Sequence, residues 1–394
     1  MKVTTDIYLI AAKRTPIASF GSELASLTAT DLASEAIKAI LQSAGVSGRE
    51  VEETFLGNVC AAGVGQAPAR QAALKAGISE KSPATTINKV CASGLKSIIL
   101  ATQTLQLNQR KLVVAGGAES MSNIPYYDRA ARWGVKYGDQ KLIDGLAYDG
   151  LTDATEGVAM GVLAEKVCKE KGISREAQDR YSITSYKRAQ KAWEEKSFSD
   201  EVCPISISSK KGVILIDKDE ECFKVNFDKV SQLKPAFDPD GTITAANAST
   251  INDGAAAILM ANNEGLKTIS SKPIAKIIGY SETALTPAEF TLAPIEATKA
   301  LLKTTGINLK EVDLFEINEA FAMVPLAFAD ALNVGLDKIN INGGAVSLGH
   351  PIGCSGTRIV VTLVHALRAR SMRYGIAAIC NGGGGASAML IEAL

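Results

Sequence analysis

The sequence predicts an α/β protein in which two duplicated, βαβ-rich halves pack as one layered body with a loop domain inserted between them. Three observations carry this. Ala36-Ile37-Lys38-Ala39-Ile40-Leu41, Gly45-Val46 and Arg49-Glu50-Val51 recur, always 261 positions on, as Ala297-Thr298-Lys299-Ala300-Leu301-Leu302, Gly306-Ile307 and Lys310-Glu311-Val312. Short apolar runs alternate with helical periods in both copies, which argues for βαβ units and mostly parallel sheets. The stretch from about 120 to 250 has no counterpart and is richer in charge, Gly and Tyr.

In chain order, the first copy predicts a strand over 6–11, a helix over 29–43 and a strand over 53–56. Ser93-Gly94-Leu95-Lys96 then leads into a helix, followed by a strand over 111–115. The second copy repeats this with a strand over 274–279, a helix over 294–304 and a strand over 314–316. Ser355-Gly356-Thr357-Arg358 marks a helix over 353–369, and the last strand is expected over 377–380. In the insertion, 175–196 reads as a charged helix, and Ser208-Ser209-Lys210-Lys211-Gly212 as a hairpin or loop. Such an insertion at strand ends is a common place for ligand-binding loops.

At 394 residues the chain exceeds one ordinary core. A formal net charge of zero implies neither a nucleic-acid nor a membrane partner, so an anionic ligand has to meet a local basic cluster. Seven cysteines without a paired spacing argue for a reducing compartment, and no CxxC or Cys/His spacing suggests zinc. The N-terminus shows neither signal peptide nor transit region, and Glu392-Ala393-Leu394 is no peroxisomal tail. The expectation is cytoplasmic, or mitochondrial if a leader has been removed.

Cys91, Cys380 and His350 are the candidate chemical groups, each framed by glycine or proline. Cys91 precedes a predicted helix, where free N–H groups and the helix dipole would lower a thiol pKa from about 8.5. Cys380 ends an apolar run and enters Asn381-Gly382-Gly383-Gly384-Gly385. Two readings are open for it: a core cysteine beside a turn, or a thiol next to bare N–H groups suited to an oxyanion. His350, in Gly349-His350-Pro351, is either a base or a satisfied turn histidine, whereas His365 is mid-helix and structural. Asn318 either caps a helix or serves an oxyanion, and Glu319 is a candidate to orient His350. The equivalent strand end in the first half carries Gly57-Asn58-Val59. The remaining cysteines read as small core residues.

Asn88-Lys89-Val90-Cys91-Ala92-Ser93-Gly94, Asn318-Glu319-Ala320-Phe321, Gly349-His350-Pro351 and Cys380-Asn381-Gly382-Gly383-Gly384 resemble the four active-site signatures of thiolases, in family order. The likeness runs from Arg14-Thr15-Pro16 to the C-terminus. Ala245-Ala246-Asn247-Ala248-Ser249, Asp253-Gly254-Ala255-Ala256-Ala257 and Met160 are similar to the short-chain, acetoacetyl-CoA branch. The resemblance implies an α/β/α/β/α body made of an N-terminal half over 1–119, to which about 251–270 returns, a loop domain over 120–250 covering the active site, and a C-terminal half over 271–394. It also implies a homotetramer, a dimer of dimers.

By the same resemblance Cys91 is the acylated nucleophile, His350 its base, and Cys380 the group that moves a proton on and off the acetyl methyl carbon. Asn318, through a water, and His350 hold one thioester oxygen, and the N–H groups of Cys91 and Gly382 hold the other. Ser249 lies beside the pantetheine of coenzyme A. Tyr186, Lys224, Val225, Asn226 and Lys229 lie near its nucleotide, while Met160, Phe237 and Phe290 line the acyl pocket. Ala159 departs from the histidine that many relatives carry there. Some relatives bind potassium at positions matching Tyr186, Ala245, Ala246, Ala248 and Val346. No tightly bound cofactor is implied; the substrates are acyl-CoA thioesters. The expected activity is reversible condensation of two acetyl-CoA to acetoacetyl-CoA plus CoA. Two alternatives are weighed: degradative cleavage of longer 3-ketoacyl-CoA, and a non-catalytic acyl-CoA or lipid carrier.

Overall fold

The computed structural model describes residues 1–3, 5–209 and 212–394. The first half contains β1 (Ile7–Arg14), β2 (Ala18–Ser19), α1 (Ala29–Ala44), β3 (Glu53–Gly57), α2 (Pro68–Lys75), β4 (Ala84–Ile87), α3 (Ser93–Gln106) and β5 (Leu112–Ser120). The insertion supplies β6 (Tyr126–Tyr127), β7 (Ile143–Asp144), α4 (Met160–Lys171), α5 (Arg175–Glu194), β8 (Ile205–Ser209) and β9 (Gly212–Ile216). The chain then returns through β10 (Asn252–Asn262) and α6 (Asn263–Leu266). The second half has β11 (Ala275–Ala284), α7 (Ala293–Thr305), β12 (Leu314–Ile317), α8 (Met323–Leu332), α9 (Ala345–Leu348), α10 (Ile352–Ala369), β13 (Tyr374–Asn381) and β14 (Gly385–Ala393).

The duplication appears as matched topology. The strands run β12-β13-β14-β11-β1-β10-β5-β3-β4, and the two halves meet where β1 and β11 pair through Tyr8↔Lys276 and Leu9↔Ala275. The repeated sequences fall on equivalent elements: α1 answers α7, β3 answers β12, and α3 answers α10. The expectation of mostly parallel sheets needs correction. Parallel pairing is confined to β3–β4, β3–β5 and β12–β13, because β10 and β14 insert antiparallel between the βαβ strands and the central edge.

Helices α3 and α10 lie side by side between the two half-sheets. One apolar cluster joins Leu95 and Ile98 of α3, Val360 and Leu363 of α10, Val113 and Ile258 of the first sheet, and Ala377 and Met389 of the second. Outside, α1 and α2 cover the first half-sheet, while α7 and α8 cover the second. These are the five layers α/β/α/β/α. At their starts the two inner helices come to backbone contact at glycines. A Cβ on Gly94 would stand 2.7 Å from the Thr357 nitrogen, and one on Gly117 would run into the Gly353 carbonyl. Only glycine fits there. At the outer helix α1, Thr28 and Asp31 form a capping box, and Gly45 closes the far end at φ +61°.

In the insertion β8 and β9 form an antiparallel hairpin; Lys210 and Lys211 of the expected loop lie outside the described residues. Among the described residues, no helix is long and apolar enough to cross a membrane.

Candidate active site

Cys91 occupies the turn between β4 and α3, ahead of the first helical residue, Ser93. Val90 is in the left-handed region at φ +47°, which for a β-branched residue stores on the order of 1–3 kcal/mol. Local bonds hold this turn. Asn88 Oδ1 accepts the Val90 N–H at 2.9 Å, and Ser93 Oγ accepts the Lys89 N–H at 2.7 Å while donating to the Val90 carbonyl at 2.6 Å.

The N–H groups of Gly382 and of Cys91 itself are directed at the Cys91 sulfur. They do not make it acidic. Burial pushes the Cys91 thiol up to about 11, with those two N–H groups offsetting part of the effect. The expected lowering by a helix start is therefore corrected: desolvation of the thiolate exceeds what two donors and the start of α3 return. Cys380, the penultimate residue of β13, is fully buried; burial first and the neighbouring Cys91 second raise its thiol well above the ordinary range.

His350 follows Gly349, whose φ of +105° admits only glycine, and precedes the first turn of α10. Its backbone N–H donates to Asn252 Oδ1 at 2.9 Å. Its Nδ1 is 2.6 Å from Ser355 Oγ, and that hydroxyl spends its single hydrogen on the Pro351 carbonyl at 3.0 Å. Ser355 therefore accepts from Nδ1–H, and the lone pair is on Nε2, a buried atom without a partner among the described residues. Burial, with the Arg358 guanidinium adding to it, lowers the imidazole pKa to about 3. Glu319 does not orient His350, contrary to expectation. Its carboxylate accepts instead from Tyr181 Oη (2.7 Å), Ser185 Oγ (2.8 Å), Asn340 Nδ2 (2.8 Å) and the Val346 N–H (3.0 Å).

Asn318 caps no helix either, since α8 begins at Met323. Its backbone N–H donates to the Ala378 carbonyl at 3.0 Å, which places it just past β12, beside the strand that carries Cys380. Both polar atoms of its buried side-chain amide lack partners among the described residues. The equivalent Asn58 is committed differently, donating to Glu119 at 2.8 Å. The His350 Nε2 and the Asn318 amide thus keep their hydrogen-bonding capacity for groups other than the described residues. Cys91 also packs on the cluster of Val59, Cys60, Met121, Leu146 and Ile352, whose last member follows His350 by two positions.

Around this centre, a Cβ at Gly382 would stand 3.7 Å from the Met160 sulfur. Phe321 stacks edge-on with both Phe237 (6.0 Å) and Phe290 (6.4 Å), forming an apolar wall with Met160 packed against it. A cleft of about 530 Å³ is lined by Lys224, Phe237, Ala245, Ala248 and Ser249. Lys224 donates to Ser19 Oγ and pairs with Glu220, both at 2.6 Å. Val225 packs beside Tyr186, Asn226 caps the turn Phe227–Gln232, and Lys229 is exposed on that turn.

Tyr186 is buried with Val346, and among the described residues its hydroxyl has no hydrogen-bond partner. Burial, then Glu221 and Glu319, push its pKa up. Ala246 and Ala248 are buried and Ala245 is exposed. Among the described residues no His/Cys/Asp/Glu group is arranged to hold a metal ion. Sequence reasoning missed Ser355. The available signal was a hydroxyl five residues after a Gly/Pro-framed histidine.

Two family models match: Thiolase, N-terminal domain, over residues 7–264, and Thiolase, C-terminal domain, over residues 271–393. The chain is 48% identical over 390 residues to a cytosolic acetyl-CoA acetyltransferase of Gibberella zeae, covering 98% of each chain. It is also 48% identical over 391 residues to a mitochondrial acetyl-CoA acetyltransferase of Rattus norvegicus, covering 99% of this chain and 91% of that one. The crystal structure of the Acat5 thiolase from Ascaris suum in complex with coenzyme A superposes with a TM-score of 0.94 at 47% identity, over 99% of this chain and 100% of that one. Two family matches that together reach from residue 7 to residue 393, and a full-length superposition at this identity, leave one conclusion: the chain belongs to the thiolase family.

Proposed function

We propose that this thiolase is an acetyl-CoA C-acetyltransferase that joins two acetyl-CoA molecules reversibly into acetoacetyl-CoA and CoA. The observation that carries the reading is the pair of neighbouring thiols, half-buried Cys91 and buried Cys380, together with an imidazole whose Nε2 no described residue engages. A thiol held near 11 needs a base as it attacks. His350 Nε2 takes the Cys91 proton while the sulfur adds to the thioester carbonyl. The tetrahedral oxyanion is held by the N–H groups of Cys91 and Gly382. When that intermediate collapses, the departing CoA sulfur takes the proton from His350, and Cys91 is left acetylated.

The second acetyl-CoA loses a methyl proton to the Cys380 thiolate, whose raised pKa makes it a stronger base toward carbon. Its enolate oxygen is held by His350 and, through a water, by Asn318. The carbanion attacks the acetyl-Cys91 carbonyl, acetoacetyl-CoA leaves, and the proton on Cys380 passes to the freed Cys91 sulfur. Cys91 ends as a thiol and Cys380 as the thiolate with which the step began, its proton having gone to solvent beforehand and returning from solvent afterwards.

In this reading the loop domain over 120–250 covers the site, and the cleft lined by Lys224 and Ser249 takes CoA, with Val225, Asn226, Lys229 and Tyr186 toward its nucleotide. The acyl group faces Met160, Phe237 and Phe290. Potassium would be held by the Tyr186 hydroxyl and by main-chain oxygens of Ala245, Ala246, Ala248 and Val346, and would neutralise the field of Glu221 and Glu319 there. The assembly is a homotetramer, supported by the exposed aromatic side chains of the arm 126–148. Seven free cysteines favour a reducing compartment, the cytoplasm or, if a leader is removed, the mitochondrion.

The test compares thiolysis across acyl chain lengths. The three-phenylalanine wall leaves little room for added methylenes, so kcat/KM for acetoacetyl-CoA should exceed that for 3-ketohexadecanoyl-CoA by much more than tenfold. Acid quench and peptide mass analysis should place the acetyl group on Cys91. Comparable values for the two substrates would make the enzyme degradative, and acetyl on Cys380 would reverse the roles of the thiols.

A further inference from the structure

The turn that carries Cys91 is tied to the other half of the molecule by charge. Lys89 Nζ lies 2.6 Å from Glu282 Oε1 and 2.9 Å from Ser387 Oγ, and Lys96 Nζ lies 2.6 Å from Glu282 Oε2. One carboxylate on β11 thus holds lysines on both sides of the nucleophile. Glu282 pairs in register with Ser387, and the next residue of β14, Ala386, pairs with Cys380. The three side chains therefore span from the turn of one thiol to the strands that present the other.

The strained Val90 gives this link a purpose. A left-handed β-branched residue persists only where its surroundings over-determine it. The bonds from Asn88 and Ser93 fix the shape of the turn within its own segment; Thr357 Oγ1, donating to the Gly94 carbonyl at 3.0 Å, seats the start of α3 on the second half, and the lysines add a tie on either side of Cys91. We infer that Glu282 is a positioning residue: by anchoring Lys89 and Lys96 to the strand pair beside Cys380, it sets the approach of the two thiols. The inference rests on the two-thiol reading of the reaction.

Magnitudes separate this role from a merely structural one. The three side chains are each about a quarter exposed, and such pairs add little to global stability. A misplacement of about 1 Å between reacting groups, in contrast, costs on the order of 100-fold in rate. Acetylation of Cys91 also draws on the second half, through His350 and the Gly382 N–H, but condensation needs in addition the Cys380 sulfur in register, so it should lose far more.

The experiment measures both steps in Glu282→Gln, with Glu264→Gln, which loses the exposed pair to Lys267, as the control. The expected result is acetylation of Cys91 by acetyl-CoA within about threefold of the parent, condensation lowered about 100-fold, and a Tm within about 3 °C. Lys89→Met, which keeps the Lys96–Glu282 pair, should show the same split more weakly, and serves if Glu282→Gln does not fold. Equal losses in both steps, or none in either, would overturn the inference. A parent enzyme unable to condense acetyl-CoA would instead overturn the proposed function.

Discussion

With Cys91 held near 11 and His350 near 3, neither group is ionised at neutral pH, so nucleophilic attack has to carry its proton transfer along with it. The sign of the pH dependence follows. Lowering the pH toward 5 does not protonate His350, and raising it toward 9 does not ionise Cys91. Acetylation of Cys91 by acetyl-CoA should therefore be level between about pH 5 and about pH 9. Condensation needs the Cys380 thiolate, whose scarce population rises about tenfold per pH unit, so its rate should climb over the same range. Rapid-quench measurement of both steps checks this; an acetylation limb centred near 6.5 would mean that His350 titrates as an exposed imidazole. Cys380→Ser, tested in the same way, should still acetylate Cys91 and exchange CoA while condensation falls at least about 1000-fold. The Gly- and Pro-framed Cys91, His350 and Cys380 were legible in the sequence because their chemistry demands special backbone. The Ser355 partner, the true company of Glu319 and the direction of the Cys91 shift were not, because each depends on side chains that only the fold brings together.

Elements were legible where pattern follows layer. α1 and α7 are amphipathic outer helices with left-handed glycine stops, and their repeated pattern reveals the duplication. β10 and β14 were not read as strands. They are rich in Ala and Gly, buried on both faces for most of their length, and poor in the β-branched residues that mark a strand. Their small side chains let helices approach closely, and that same demand makes particular glycines irreplaceable. Gly117→Ala should lower unfolding free energy by about 3 kcal/mol or more, because its methyl meets the backbone of α10 rather than a movable side chain. Gly45→Ala, with open space around the position and only the left-handed φ to tolerate, should cost about 1 kcal/mol. Urea midpoints of the two variants give the comparison; similar losses would refute the close-contact account.

At the scale of the molecule, the arm from 126 to 148 leaves Trp133 84% and Tyr137 98% exposed, with Tyr126, Leu142 and Tyr148 exposed beside them. So much apolar surface on one projection calls for cover by a second copy. The protein should elute with the mass of a tetramer, and Trp133→Arg combined with Tyr137→Asp should halve that mass while Cys91 acetylation persists. Light scattering on the eluting peak decides, and an unchanged mass would remove the arm from the assembly. The order of layers has a further consequence for synthesis. Helix α10, which covers the inner face of the first half-sheet and the flank of α3, lies some 240 residues after α3 in the chain. At ribosomal speeds that separation lasts on the order of tens of seconds. Throughout it, the inner surface of the first half is bare while the nascent chain is still being made. The central sandwich makes this protein a late folder, whose exposure to holdase chaperones ends only when its last helix leaves the exit tunnel.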